Sequence, residues 1–358
     1  MRLWEQLGSS EFVHLLWGQS THHAHRGELD LALHLEEDLL RLSHQRNDSG
    51  GLVLGHASSG RTLMFAARFA SSRSHSEKAL ALYDPISHRP LVRQLGFHPQ
   101  VSARAYLGIV LFCLGFPDQA LAQSSAAITE ARRLVHPTSL AVSLTLGSLP
   151  LWLVGDNAAL GERAAELVAV ATEQDFALWG AQGTIYLGWV KVEKGNVTEG
   201  TSLLRCGASA YRVTGAVLLN AYYNSLLARA CEIAGRVEEG FTLLDEALQI
   251  VERTEERWFA AELNRHKGQL QLRRGHSEAA EELYRKALNI AVEQEAKLWE
   301  LRAVMSLARL RRDQGRHAEA RDILAPVYGW FTEGFDTSDL MEAKALLDEL
   351  ARAGEDPD

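Results

Sequence analysis

The chain has 358 residues, 46% of them hydrophobic, with 37 basic and 46 acidic side chains and a formal net charge of −9. A single core stops growing at roughly 250–300 residues, so a chain this long divides into domains or runs on as a repeat array. The acidic balance excludes a nucleic-acid footprint. Cys113, Cys206 and Cys231, odd in number and without CxxC spacing, read as reduced thiols in a cytosolic protein, not as a disulfide or zinc framework.

The first 18 residues lack the basic start, apolar run and cleavage site of a signal peptide. Leu3, Trp4 and Leu7 read as the end of a second helix (residues 1–7) whose partner would lie upstream, which implies a truncated preceding repeat. A first helix then runs to Gly27. His14, His22, His23 and His25 gather on it; histidines at i and i+3 share a helix face and can ligate a metal. No carboxylate or cysteine completes a set, so these histidines are expected at a solvated helix end, with no metal bound.

The string Gly55 to Thr62 (GHASSGRT) copies the phosphate-loop pattern, with Arg61 in place of the lysine. That motif needs a strand before it and a helix after it. Here Leu52, Val53 and Leu54 read as the opening of a helix, so Gly60 is expected as a packing glycine, and Arg61→Ala is expected to change stability little. Residues 84–99 (DPISHRPLVRQLGFHP) read as an insertion loop. No 18-residue run is unbroken by polar residues, so no transmembrane helix is expected. Trp152, Trp179, Trp189, Trp258, Trp299 and Trp330 should mostly fill gaps between repeats, with some free to line a groove. Residues 336–358 read as a C-terminal capping helix and polar tail.

A period organises these elements. Gly115, Gly155, Gly195, Gly235, Gly275 and Gly315 follow one another at 40 residues, and Gly27 and Ala67 extend the series backwards, 40 apart, with eight extra residues before Gly115. Seven residues before each turn stand Ser20, Gly60, Gly108, Ser148, Gly188, Ala228, Gly268 and Ala308, all small. Five residues after each turn, seven of eight are small. A glycine within a helix costs about 1 kcal/mol relative to alanine, so its repeated use implies close approach of neighbouring helix axes. The expected fold is all-α: a right-handed superhelical solenoid of about eight antiparallel helix pairs, forming one array over residues 1–358.

The small residue of the first helix, the turn glycine and the alanine of the second helix, as in Leu107-Gly108, Leu187-Gly188 and Tyr284 with Ala287, resemble the tetratricopeptide pattern, with 40 residues in place of about 34. Longer strings carry a sharper resemblance: SSRSHSEKALALYDPISH (Ser71–His88), LGFPDQALAQS (Leu114–Ser124), ERWFAAELNRHKGQLQL (Glu256–Leu272), EQEAKLWELRAVMSLARL (Glu293–Leu310) and LAPVYGWFTEGFDTSDL (Leu324–Leu340). Together they resemble the C-terminal repeat region of bacterial signalling proteins in which a class III adenylate/guanylate cyclase domain precedes an ATPase and then the repeats. The cyclase and ATPase parts are not in this sequence.

The tetratricopeptide resemblance places a concave groove thirteen, ten and six residues before each turn. Counting gives His14, Trp17 and Thr21; Leu54, Ala57 and Arg61; Gln182, Ile185 and Trp189; Tyr222, Ser225 and Arg229; Glu262, Arg265 and Gln269; Arg302, Met305 and Arg309. The binding candidates are Trp189, Tyr222, Arg229, Glu262, Arg265, Arg302 and Arg309, since aromatics and arginines dominate binding hot spots. They suit a peptide with acidic groups, unless the arginines pair with Glu262 and other local acids. The implied function is a non-catalytic interaction or regulatory module without a cofactor. Its partner would be a protein or peptide, or the cyclase and ATPase domains of a longer parent, with no nucleic acid and no membrane. The alternatives are a nucleotide-binding or metal-dependent enzyme, on weak motifs, or an inert fragment.

Overall fold

The computed structural model describes residues 9–88, 91–92 and 95–353. Leu3, Trp4 and Leu7, the last five residues and four positions of the 84–99 segment lie outside the described residues. Those described form seventeen helices and no strand. In chain order they are α1 (Ser9–His25), α2 (Leu29–Gln45), α3 (Ser49–Phe65), α4 (Phe69–Leu82), α5 (Pro99–Cys113), α6 (Pro117–Leu134), α7 (Pro137–Val154), α8 (Asn157–Glu173) and α9 (Ala177–Glu193). They continue as α10 (Val197–Val213), α11 (Asn220–Ile233), α12 (Val237–Thr254), α13 (Ala260–Arg273), α14 (Ser277–Glu293), α15 (Lys297–Asp313), α16 (His317–Tyr328) and α17 (Ser338–Ala353).

Odd-numbered helices up to α15 are the first helices of eight pairs, and even-numbered ones the second. Each first helix ends in a left-handed residue at the counted turn: Gly27, Gly115, Gly155, Gly195, Gly235, Gly275 and Gly315 all have positive φ, and Ala67 takes φ 60° at the eighth. Glycine reaches that region without a steric cost, and its N–H then satisfies a free carbonyl of the last helical turn.

The small-residue registers are contact points between backbones. A Cβ on Gly188 would lie 2.8 Å from the Leu204 nitrogen and 2.9 Å from the Gly200 oxygen, and one on Gly200 would lie 2.6 Å from the Gly188 oxygen. Gly60 sits mid-helix in α3, where the Ser72 hydroxyl donates to its carbonyl at 2.5 Å. The phosphate-loop lookalike is therefore helix throughout, as its packing register requires.

Helix α7 is long and apolar enough to cross a membrane by length and composition alone, although serines and threonines break its apolar run. It lies at the middle of the array with two thirds of its length buried against neighbouring helices. One expectation needs correction: Arg61 is not a dispensable side chain. It is 7% exposed, with its guanidinium 3.3 Å from the fully buried Glu36 and donating to Thr21.

The superhelix closes on itself. The carbonyl of His25, last residue of α1, accepts from the Val217 N–H at 3.0 Å, and that of Phe65, last residue of α3, accepts from Arg257 and Trp258 at 2.8 and 3.2 Å. At the end of α7, Leu153 O accepts from Arg302 at 2.8 Å and Val154 O from the Ser338 hydroxyl, 184 residues on, at 3.3 Å. The last carbonyls of an α-helix have no partner within it. Here the next superhelical turn supplies the donors, so successive turns are joined around an inner channel.

Candidate functional site

Trp152, near the end of α7, is the hub of an aromatic cluster. Its ring meets Trp189 of α9 at 6.0 Å, Tyr222 of α11 at 5.0 Å and Phe259, just before α13, at 6.0 Å, edge-on or tilted. Such geometry suits the aromatic quadrupole. Beyond this cluster lies a cavity of about 300 Å³. Trp152, Trp189 and Phe259 form its apolar side, and Ser225, Arg229, Glu262, Arg265, Gln269 and Arg302 its polar side. The Trp152 indole N–H has no partner.

The structure thus brings five of the seven counted candidates, Trp189, Arg229, Glu262, Arg265 and Arg302, to one cavity. Tyr222 is fully buried in the aromatic cluster behind it, and Arg309 stands outside, paired with Glu342 at 2.6 Å.

The arginines are already engaged. Arg265 holds Glu262 through two bonds of 2.6 and 2.9 Å. Arg302 donates to Glu262 at 3.1 Å and forks onto Asp339 at 2.9 and 2.8 Å. Burial works against the charge on Glu262, but Arg265 and Arg302 overcome it and hold the carboxyl at about 2. Glu232 is similar: against its burial, His266 and Arg229 hold it at about 2. The arginines that counting offered as grips for an acidic peptide are structural cations paired with local acids. Beside these ion pairs the cavity is lined by its aromatic wall and by the polar side chains of Asn157, Glu193, Ser225, His266, Gln269 and Ser338.

The remaining chemical candidates resolve into structure. His23 Nδ1 lies 2.5 Å from Glu28 and His25 Nδ1 lies 2.8 Å from the Thr21 carbonyl. Among the described residues no group of three or more His, Cys, Asp or Glu is placed to hold a metal. All three cysteines are free thiols, Cys113 and Cys231 buried and Cys206 exposed.

Sequence reading missed two serine–histidine contacts, Ser49 Oγ to His88 Nε2 and Ser139 Oγ to His136 Nδ1, both at 3.0 Å; the second is local, at the start of α7. In the first, His88 Nδ1 accepts the Asp84 backbone N–H at 2.9 Å. The ring proton must then sit on Nε2 and point at the serine, the wrong tautomer for a general base. Its effect is to tie the segment after α4 to α3.

Paired helices, left-handed turns at a fixed interval and an inner channel define a tetratricopeptide-like helical repeat solenoid. The tetratricopeptide repeat family profile matches residues 218–292. An uncharacterised protein of Rhizobium meliloti (strain 1021) is 26% identical over 214 residues; the match takes in 60% of this chain and 21% of that protein, so the chain spans about a fifth of its relative's length.

Similar solved structures include a Rap protein complexed with Competence and Sporulation Factor (TM-score 0.59, 12% identity, 96% of this chain and 98% of that one). Another is the Rap conjugation gene regulator of plasmid pLS20 with the Phr* peptide (TM-score 0.59, 11% identity, 96% and 97%). A third is the apo quorum sensor NprR of B. thuringiensis (TM-score 0.53, 14% identity, 90% and 88%). At these identities the likeness is one of fold.

Proposed function

We propose that the chain is a non-catalytic interaction and regulatory module that takes a segment of a protein or peptide partner into its superhelical channel, at the cavity walled by Trp152, Trp189 and Phe259. The observation that carries this reading is an aromatic wall left facing open space on the inner side of a repeat solenoid, with an unpartnered indole N–H on it. A cavity of about 300 Å³ admits one or two partner side chains, not a folded domain. Since the arginines are neutralised, the favoured side chain is apolar or aromatic with a hydrogen-bond acceptor for Trp152. The two peptide- or factor-bound Rap structures are of this fold, which adds support.

The finer reading is that the array works in a cytoplasmic bacterial signalling protein, where it controls class III cyclase and ATPase domains of the same chain. Its support is the set of strings from Ser71 to Leu340 and a relative about five times the length of the matched segment.

An array of short peptides with a central tryptophan, phenylalanine or leucine tests the site. Binding should be saturable and fall at least tenfold in Gln269→Trp, which fills the cavity from a partly exposed position. No binding, or binding indifferent to Gln269→Trp, would remove the channel from consideration. For the finer reading, DNA upstream of Met1 should encode an ATPase and a cyclase in frame.

A further inference from the structure

A second cavity of about 250 Å³ lies in the N-terminal half of the channel, beside α1, α3, α5, α7, α9 and α10. Its walls are mostly apolar and aromatic; Trp17, Phe65, Phe97, Leu146, Trp179 and Leu218 supply much of the surface. Trp17 and Phe97 pack together at 5.5 Å along one side.

Three polar side chains line the same cavity, each more than nine-tenths buried, and each has one atom without a partner: Arg61 Nε, Thr145 Oγ1 and Gln182 Oε1. The other ends are fixed. Arg61 gives its terminal nitrogens to Thr21 and Glu36, and Gln182 gives its amide nitrogen to Tyr223 Oη at 2.8 Å. Turning the Gln182 amide over would swap its free oxygen for a free N–H, so one unpaired polar atom remains in the cavity wall in either orientation.

A buried polar atom left unpaired costs about 1–3 kcal/mol, and native proteins hold few of them. Three around one space, two of them on side chains held from behind, amount to a prearranged set of hydrogen-bonding points in an apolar chamber. That is the usual composition of a small-molecule site. The space equals that of about eight waters, the scale of one substituted aromatic ring.

We propose that this cavity binds a small aromatic compound carrying an acceptor, such as a carboxylate, for Arg61 and a hydroxyl for Thr145 or Gln182. The site is separate from the partner cavity: on α7, Thr145 and Leu146 face this space, whereas Trp152 and Leu153, two turns on, face the other. The proposal does not depend on the partner reading.

The probe is 4-hydroxyphenylacetate, titrated calorimetrically into the full chain alongside phenylacetate and 4-methylphenol, which each lack one polar end. The expected result is saturable one-to-one binding of the first, with the other two at least about tenfold weaker, since each leaves a buried group unpaired. Leu146→Trp, which fills the chamber, should abolish binding. Thr145→Val, nearly isosteric, should weaken it several-fold while keeping the fold intact by circular dichroism. Gln269→Trp, in the other cavity, should leave it unchanged. The proposal fails if none of the three compounds binds at millimolar concentration. It fails equally if a folded Leu146→Trp binds as the parent does, or if Gln269→Trp is the variant that loses binding.

Discussion

At the residue scale the fold depends on where a side chain is absent. At Gly188 a Cβ would meet two backbone atoms of α10 at under 3 Å, and backbone cannot rotate away as a side-chain tip can. Gly188→Leu should therefore destabilise by about 3 kcal/mol, the upper part of the overpacking range, measured by urea unfolding. Arg61→Ala should cost a similar amount, about 3 kcal/mol, because it strands the buried Glu36 carboxyl. Loss at Gly188 with none at Arg61 would contradict the buried pair.

The contrast shows what the sequence could display. Gly188 is legible because a packing requirement repeats every 40 residues. The Arg61–Glu36 pair is not, because it joins one repeat to its neighbour once. A single arginine within a phosphate-loop-like string has the composition of an exposed side chain.

At the scale of elements, one side chain holds four helices together. Arg302 of α15 bonds Glu262 of α13, Asp339 of α17 and the last-turn carbonyl of α7. Arg302→Met removes all of these and leaves the 3% exposed Glu262 with Arg265 alone and Asp339 without its guanidinium. The expected loss is about 3–5 kcal/mol, with α17 the first helix to become protease-sensitive. Arg309→Met, which breaks a half-exposed pair with Glu342, should cost under about 1 kcal/mol. Equal effects would sink the assignment.

Counting back from the turn glycines placed both arginines in one groove. It could not separate them, because the acceptor that decides Arg302's role is a backbone carbonyl 149 residues away, and a carbonyl leaves no mark in a sequence. The same counting did reach the N-terminal cavity through Trp17, Thr21, Arg61 and Gln182, though it did not name Thr145. What it lacked was the coiling that turns these positions from a groove into a chamber.

At the scale of the whole molecule, closure between superhelical turns carries a pH dependence. Glu256, in the loop between α12 and α13, is 1% exposed and accepts from the Leu219 N–H and the Trp258 indole. That loop also caps α3. Burial pushes Glu256 up to about 7, and burial also pushes Glu36 to about 7 against the pull of Arg61. A carboxyl whose folded pKa lies above its unfolded 4.5 stabilises fully below about 4.5. That contribution is lost as pH rises through 7.

Burial has the opposite consequence for His56 and His98, both lowered to about 4. Their contribution is present above the unfolded value of 6.5 and is lost as pH falls towards 4. Over pH 4.5–6.5 the two sets oppose, so the parent's urea midpoint should vary little there. It should drop below pH 4 as Glu232 and Glu262, both held at about 2, take up protons. Replacing Glu36 and Glu256 by glutamine removes one side of the balance. The double variant should then gain stability relative to the parent as pH rises from 4.5 to 7, with the difference levelling off above 7. Parallel curves for the two proteins across that window would mean that these carboxyls ionise in the folded protein as freely as in the unfolded chain, and that packing of the repeats does not bury them.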